Sequence, residues 1–336
     1  MKKILVTGGA GYVGSVLVRK LLEKHYSVRI LDQLVFGKES IQDLLSHKNF
    51  DLMVGSIEDE YITNKSVQDI DTVVHLAGIS NDPCCDLAPE LTHKINYLGT
   101  KQLIDLSKQA GVKRFIFGST ASVYGASSDR VVTEEFPTNP LSLYAKTKLE
   151  CEKLVAEEQS DDFSTCSLRK STVYGYSPRM RFDLVVNILT AMAIKEKKIM
   201  VNGGDQWRPH LHILDAANAY INCLESSADK IRGQIFNLGS ENFMIRDVAN
   251  LIKEIFPDIK VFESNTPDKR SYRASFDKIF NVLNFKPERT IKDGILDIKE
   301  AFDKGLIVNY TDLNYYNIKR VMKLGFDIPF NNKSYK

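Results

Sequence analysis

The stretch KILVTGGAGYVGS near the start of the chain constrains the fold more than any other. An apolar run, Ile4 to Val6, ends in glycines and leads directly into SVLVRKLLEKHY, which has helical periodicity. Gly8, Gly11 and Gly14 recur at every third position across that junction. One glycine permits a tight turn, one lets backbone approach a pyrophosphate, and one lets the helix pack on the strand. The helix N-terminus then offers free N–H groups and a partial positive charge to phosphate. The next apolar run, SVRILD, ends on Asp32, whose carboxylate suits ribose hydroxyls and repels a 2′-phosphate. Gln33 provides that phosphate with no cation. The pattern therefore predicts an NAD site rather than an NADP site, with Tyr12 and Val13 inside its loop.

Up to Thr120 the chain alternates strand-like and helix-like segments. DLMVGS (51–56), DTVVHLAG (71–78) and KRFIFGST (113–120) read as further strands, with a helix from about Ile95 to Ala110. Apolar strands separated by helices predict an α/β fold with a parallel sheet covered on both faces. A helix is predicted over 142–159, and strands over CSLRKSTVYG (166–175) and QIFNLGS (234–240). The last 30 or so residues are rich in Tyr, Phe and Asn and show no period.

The chain has 336 residues, enough for one large domain or two ordinary ones. Its 45 basic and 43 acidic residues leave a net charge of +2. That balance points to neither nucleic acid nor a membrane surface as partner. Five cysteines, an odd number with no zinc spacing, predict a reducing, cytoplasmic setting. The apolar run of MKKILVTGG is too short for a signal peptide, and no stretch is long and apolar enough to span a membrane. His210 and His212 alternate on a predicted strand, but no third ligand accompanies them, so no metal site is expected.

Tyr144 and Lys148, in LYAKTK, sit one turn apart on a predicted helix. A Y-x-x-x-K pair alone is an ordinary solvated face. Here it follows a dinucleotide loop and the hydroxyl-rich strand end GSTASVYG, which supplies Ser119, Thr120 and Ser122. A lysine ammonium beside a phenol favours the phenolate, which makes Tyr144 a candidate general base.

These features together resemble the extended short-chain dehydrogenase/reductases, specifically the NAD-dependent epimerase/dehydratase group that acts on nucleotide sugars. The likeness runs over about residues 1–300 and rests on TGGAGYVGS, Asp32, HLAG (75–78), Asn96 in NYLGT, GSTASVYG, Tyr144 with Lys148, and VYGYSPR. It implies a Rossmann-type doubly wound parallel sheet with a smaller mixed α/β substrate-binding domain. Residues 1–178 and 213–239 would form the NAD-binding domain, and 179–212 and 240–336 the nucleotide-sugar domain. By the same likeness Tyr144 is the acid/base, Lys148 its activator and a ribose ligand, and Thr120 the partnering hydroxyl. Leu76, Ala77, Gly78 and Asn96 belong to the cofactor site. Ser56 and Ile57 replace the Asp-Ile pair that commonly contacts adenine.

The likeness also implies a reaction: oxidation at C4 of a nucleotide sugar through a 4-keto intermediate. The family's 4,6-dehydratases read Thr-Asp-Glu from the catalytic threonine, whereas this chain reads Thr120-Ala121-Ser122. Without those carboxylates a 4-epimerase is expected. A C4 dehydrogenase or 4-ketoreductase is an alternative, and a non-catalytic NAD-binding regulatory protein is a third. Ser80, Asn81 and Asp82 either bond sugar hydroxyls or initiate a turn at Asn-Asp-Pro. Cys84 is either an acid/base or a small residue under that loop. Thr172 is expected at the substrate, and Arg179, Arg208, Arg270 and Arg273 at its diphosphate. Relatives pair helices like those near 96–110 and 144–159 in a four-helix bundle, so a homodimer is expected.

Overall fold

The computed structural model describes residues 2–266, 268 and 270–324. Its strands in chain order begin with β1 (Lys3–Thr7), β2 (Ser27–Asp32), β3 (Phe50–Val54), β4 (Thr72–His75) and β5 (Arg114–Thr120). Next come β6 (Ala126–Val132), β7 (Ser164–Lys170), β8 (Thr172–Tyr174), β9 (Lys198–Asn202) and β10 (Trp207–His212). The last are β11 (Gln234–Leu238), β12 (Glu241–Met244), β13 (Lys260–Ser264) and β14 (Ser271–Ala274).

Seven strands form the main sheet in the order β11-β7-β5-β4-β1-β2-β3, parallel throughout. All of β4 and all of β1 after Lys3 are buried, as a parallel strand covered by helices on both faces requires. The order reverses between β1 and β4. Open α/β sheets bind ligands outside the carboxyl ends of their strands at such a switch.

Smaller sheets lie beside the main one. β12, β10 and β8 make a three-stranded sheet, and β13 with β9 and β14 with β6 make two-stranded ones. The stretch read from sequence as one strand, 166–175, is in fact two. β7 ends at Lys170 in the main sheet, and β8 starts at Thr172 in the smaller one. Sequence pattern cannot see this, because Ser171 is a single buried residue between two segments that are themselves largely buried.

The helix predicted near 95–110 is present as Gly99–Gln109, preceded by a turn, His93–Leu98, wound as a π-helix. The helix Leu143–Glu157 starts at an N-cap, Ser142, whose hydroxyl accepts the Ala145 N–H at 3.2 Å. The C-terminal stretch without a period contains a described helix, Asn317–Leu324.

Under the carboxyl end of β5 lies a buried ion pair. Arg169 on β7 donates to Glu152 at 2.8 and 3.1 Å, and both side chains are at most 4% exposed. The Ser119 hydroxyl also donates to Glu152, and Arg169 donates to the Tyr124 hydroxyl at 2.7 Å. Removing one partner leaves the other charge buried without compensation. Glu152→Ala is therefore expected to cost about 3–5 kcal/mol of unfolding free energy, read from urea denaturation.

Candidate active site

The glycine loop closes because Gly8 takes φ +73°, a left-handed conformation that only glycine adopts cheaply. The helix Tyr12–Glu23 then comes so close that a Cβ on Gly14 would lie 2.1 Å from the Gly8 carbonyl oxygen. That approach aims the helix N-terminus into a cavity of about 260 Å³ at the carboxyl edge of the sheet.

Asp32 closes one end of the cavity. Its two carboxylate oxygens accept the N–H groups of Ala10 at 3.0 Å and Leu34 at 2.8 Å. Burial raises its pKa, and these two bonds oppose the rise. Gly8, Gly11, Tyr12, Val13, Gly14 and Asp32 all line the cavity, as do Ser56 and Ile57. Leu76, Ala77, Gly78 and Ser80 form the wall after β4, with Tyr144 and Lys148 further along.

A buried relay holds that wall. Thr7 Oγ1 lies 2.7 Å from His75 Nδ1, and His75 Nε2 lies 2.9 Å from Thr100 Oγ1. Burial holds the His75 pKa well below its ordinary value, so the ring is neutral. Asn96, expected to touch the cofactor, does not line the cavity. Its amide instead bonds both backbone groups of Ile79, at 2.7 and 2.9 Å, and so fixes the loop after Gly78.

At the other end, Lys148 is only 6% exposed and donates to the Gly118 carbonyl at 3.0 Å. Its ammonium lies 4.6 Å from the centre of the Phe117 ring. Burial lowers its pKa. The Thr120 hydroxyl lies close enough to the Tyr144 phenol to lower its pKa slightly. The phenol itself differs from expectation. Burial, reinforced by Cys85 and Asp82, raises its pKa well above the ordinary value, so in this state it is protonated. Desolvation of a full negative charge outweighs the neighbouring cations.

Other expected substrate residues are dispersed. Asn81 accepts the Cys84 N–H at 3.1 Å and donates to Asp183 at 3.0 Å, so both halves of its amide are engaged. This corresponds to the turn reading of Asn-Asp-Pro. Cys84 lines the cavity with a thiol pushed up to about 11 by burial, which makes it a poor acid/base at neutral pH. Thr172 pairs with His210 between β8 and β10, and Ser122 lies near Tyr272; neither lines the cavity. Arg208 donates to the Arg270 carbonyl and to Asp268. Arg270 pairs with Asp268 at 2.6 Å and also with Asp82, while Arg273 lies over the Trp207 ring at 5.2 Å. Arg179, grouped with them in the sequence reading, is instead in the glycine-loop cavity.

Two features escape the sequence reading. The segment after β8 latches onto the glycine loop. The Tyr12 hydroxyl donates to the Gly175 carbonyl at 2.8 Å, and the Ser177 hydroxyl donates to the Tyr12 carbonyl at 2.7 Å. The second feature is Lys170, at the end of β7, which lines the cavity beside Lys148 and donates to the Tyr220 hydroxyl at 3.2 Å. A Cβ on Gly118 would lie 2.7 Å from the Lys170 Nζ, so glycine there makes room for it. A lysine that follows Arg169 at the end of the polar sequence STCSLRK reads as an ordinary solvated strand end. Among the described residues no His, Cys, Asp and Glu cluster could hold a metal, and all five cysteines are free and buried.

A profile of the NAD-dependent epimerase/dehydratase family matches residues 4–239. The chain belongs to that family. Among its relatives are a UDP-glucose 4-epimerase of Lactobacillus helveticus, 28% identical over 332 residues, 92% of this chain and 99% of the relative. A human dTDP-D-glucose 4,6-dehydratase is 29% identical over 345 residues, covering 96% of this chain and 93% of the relative. The crystal structure of a Thermotoga maritima UDP-glucose 4-epimerase with UDP-glucose superposes with a TM-score of 0.81 at 28% identity, over 90% of this chain and 99% of that one. NAD is the family's cofactor, and the left-handed Gly8, the close Gly8–Gly14 approach and the carboxylate of Asp32 fit it. Among the described residues no helix is long and apolar enough to cross a membrane.

Burial and the neighbouring Lys148 lower the Lys170 pKa from 10.5 to about 7. The unfolded chain binds a proton there up to about pH 10.5, while the folded protein releases it near 7. The amine thus destabilises the fold fully below pH 7, and the penalty fades as pH rises toward 10.5. Lys170→Met is therefore expected to raise Tm most below pH 7, with a gain that shrinks as pH rises, followed by thermal melts across that range.

Proposed function

We propose that this enzyme oxidises C4 of a nucleotide sugar to a 4-keto intermediate and reduces it again as the C4 epimer. The observation that carries this reading is the company Tyr144 keeps. The Thr120 hydroxyl lies beside its phenol, and Ala121 and Ser122 follow where an elimination would need carboxylates. The carboxylates nearby are committed elsewhere: Asp82 to Arg270 and the Ser142 hydroxyl, Glu152 to Arg169. A free acid and a free base for loss of water are missing among the described residues, which disfavours dehydration.

NAD, when bound, would supply the hydride acceptor and a positive charge. Tyr144, protonated here, first releases its own proton to solvent, a step that a neighbouring positive charge favours; the phenolate then takes the proton from the substrate hydroxyl and later returns it. Lys148, held by the Gly118 carbonyl, stabilises the phenolate, and Thr120 orients the reacting oxygen. Arg208 and Arg270 are assigned to the nucleotide diphosphate, because both converge on one acidic residue, Asp268, that a substrate phosphate would replace. Residues 1–178 with 213–239 remain the proposed cofactor unit, although β8, inside that range, pairs in the smaller sheet. A homodimer through the helices Gly99–Gln109 and Leu143–Glu157 is proposed as well. The relatives' names support a nucleotide-sugar substrate, since they include a UDP-glucose 4-epimerase of Corynebacterium glutamicum at 30% identity, covering 90% of this chain and 96% of the relative.

The test is a panel of UDP-, GDP-, CDP- and dTDP-sugars, with products followed by mass spectrometry and NMR. A C4 epimer formed with no net change in NADH is the expected result; stoichiometric NADH release or consumption would mark a dehydrogenase or ketoreductase instead. Tyr144→Phe is expected to lower turnover by about 10²–10⁴-fold while leaving NAD bound. Unchanged turnover in that variant would remove the acid/base assignment.

A further inference from the structure

Arg179 is an anomaly in the cofactor cavity. It is 5% exposed, and among the described residues no carboxylate pairs with it and its Nε has no partner. Its guanidinium lies 3.8 Å from the centre of the Phe36 ring, and burial with the nearby Arg181 pushes its pKa down to about 9. The other cations of the cavity are engaged: Arg181 with Asp183, Lys148 with the Gly118 carbonyl, Lys170 with Tyr220. A buried guanidinium left this way is stabilised by an anion that enters later.

One bond holds it in place. Arg179 Nη2 donates to the Asn317 Oδ1 at 2.5 Å. Asn317 is the first residue of the helix Asn317–Leu324, and its own amide donates to the Ser80 hydroxyl at 2.7 Å. Arg320, on the same helix, donates to the Val35 carbonyl at 2.8 Å, and Val321 lines the cavity with Asn317. The C-terminal helix therefore joins the loop after β2 to the loop after β4, which are two walls of the cofactor cavity. Across from it stands the N-terminus of the helix Tyr12–Glu23. The Arg179 segment is tied to that loop, because Ser177 accepts the Arg179 N–H at 3.3 Å and donates to the Tyr12 carbonyl.

We propose that Arg179, held by Asn317, binds the cofactor's diphosphate, and that the C-terminal helix is the strap that retains the cofactor. The charge of the guanidinium and the dipole of the glycine-loop helix then meet on the same phosphates. This rests on NAD occupying the glycine-loop cavity and is independent of which sugar reaction follows. It also moves Arg179 from the substrate's diphosphate, where the sequence reading put it, to the cofactor's.

The test compares wild type, R179Q, R179K and N317A for binding of NADH, ADP-ribose, adenosine and UDP, with thermal melts as a check on folding. R179Q is expected to lose about tenfold to a hundredfold in affinity for NADH and ADP-ribose, with adenosine unchanged and a weaker salt dependence. R179K is expected to lose less than R179Q, and N317A to release NADH several-fold faster in stopped flow. NADH affinity in R179Q within about twofold of wild type would overturn the proposal. So would loss of UDP binding with NADH binding intact, which returns Arg179 to the substrate. If R179Q does not fold, R179K and N317A decide: wild-type NADH binding and release in both would overturn the proposal. These are binding measurements, so they stand or fall apart from the epimerase assignment.

Discussion

The contact between Gly14 and the Gly8 carbonyl is the constraint on which the rest depends. A methyl group at Gly14 would overlap that oxygen. Only with hydrogen there can the first helix lie flat enough on the sheet to point its N-terminus at the cavity. The walls of the cavity are arranged around that direction. Asp32 is fixed by two backbone N–H groups at one end, and at the other Lys148 is held by the Gly118 carbonyl, with Tyr144 also on the cavity wall. The loop beyond β8 then fastens itself to Tyr12.

The supports beneath these groups are polar and buried, which is costly unless every member is satisfied. Glu152 accepts from Ser119 and from Arg169, and Arg169 passes on to Tyr124. Thr7, His75 and Thr100 form a neutral chain under the opposite wall. Each network ties together strands that arrive at the cavity from distant parts of the chain. Rigid placement of side chains at the carboxyl edge of the sheet follows from them.

Much of this was legible in the sequence, for identifiable reasons. The alternation of apolar strands and helices reports burial on both faces of a parallel sheet, and the glycine spacing reports backbone approach. Tyr144, Lys148 and Thr120 could be singled out because they stand at fixed places relative to that frame. Long-range pairings were not legible. Asn96 looked like a cofactor ligand, yet its amide is spent on Ile79. Arg179 and Arg208 both read as phosphate-seeking cations, and only the path of the chain separates the cavity from the outer sheet. Lys170 carried no signal, since its neighbours on β7 are read for burial alone. The helix Asn317–Leu324 does carry helical spacing of Ile318, Val321, Met322 and Leu324, but over only two turns, too short a stretch to stand out in the sequence.

The break between β7 and β8 has a mechanical consequence. Lys170 closes one strand and Thr172 opens the next, so a single residue, Ser171, spans from the main sheet to the outer one. One residue extends no more than about 3.6 Å, which leaves almost no slack. The outer sheet is thereby fixed against the main one at the very strand end where Lys170 lines the cavity.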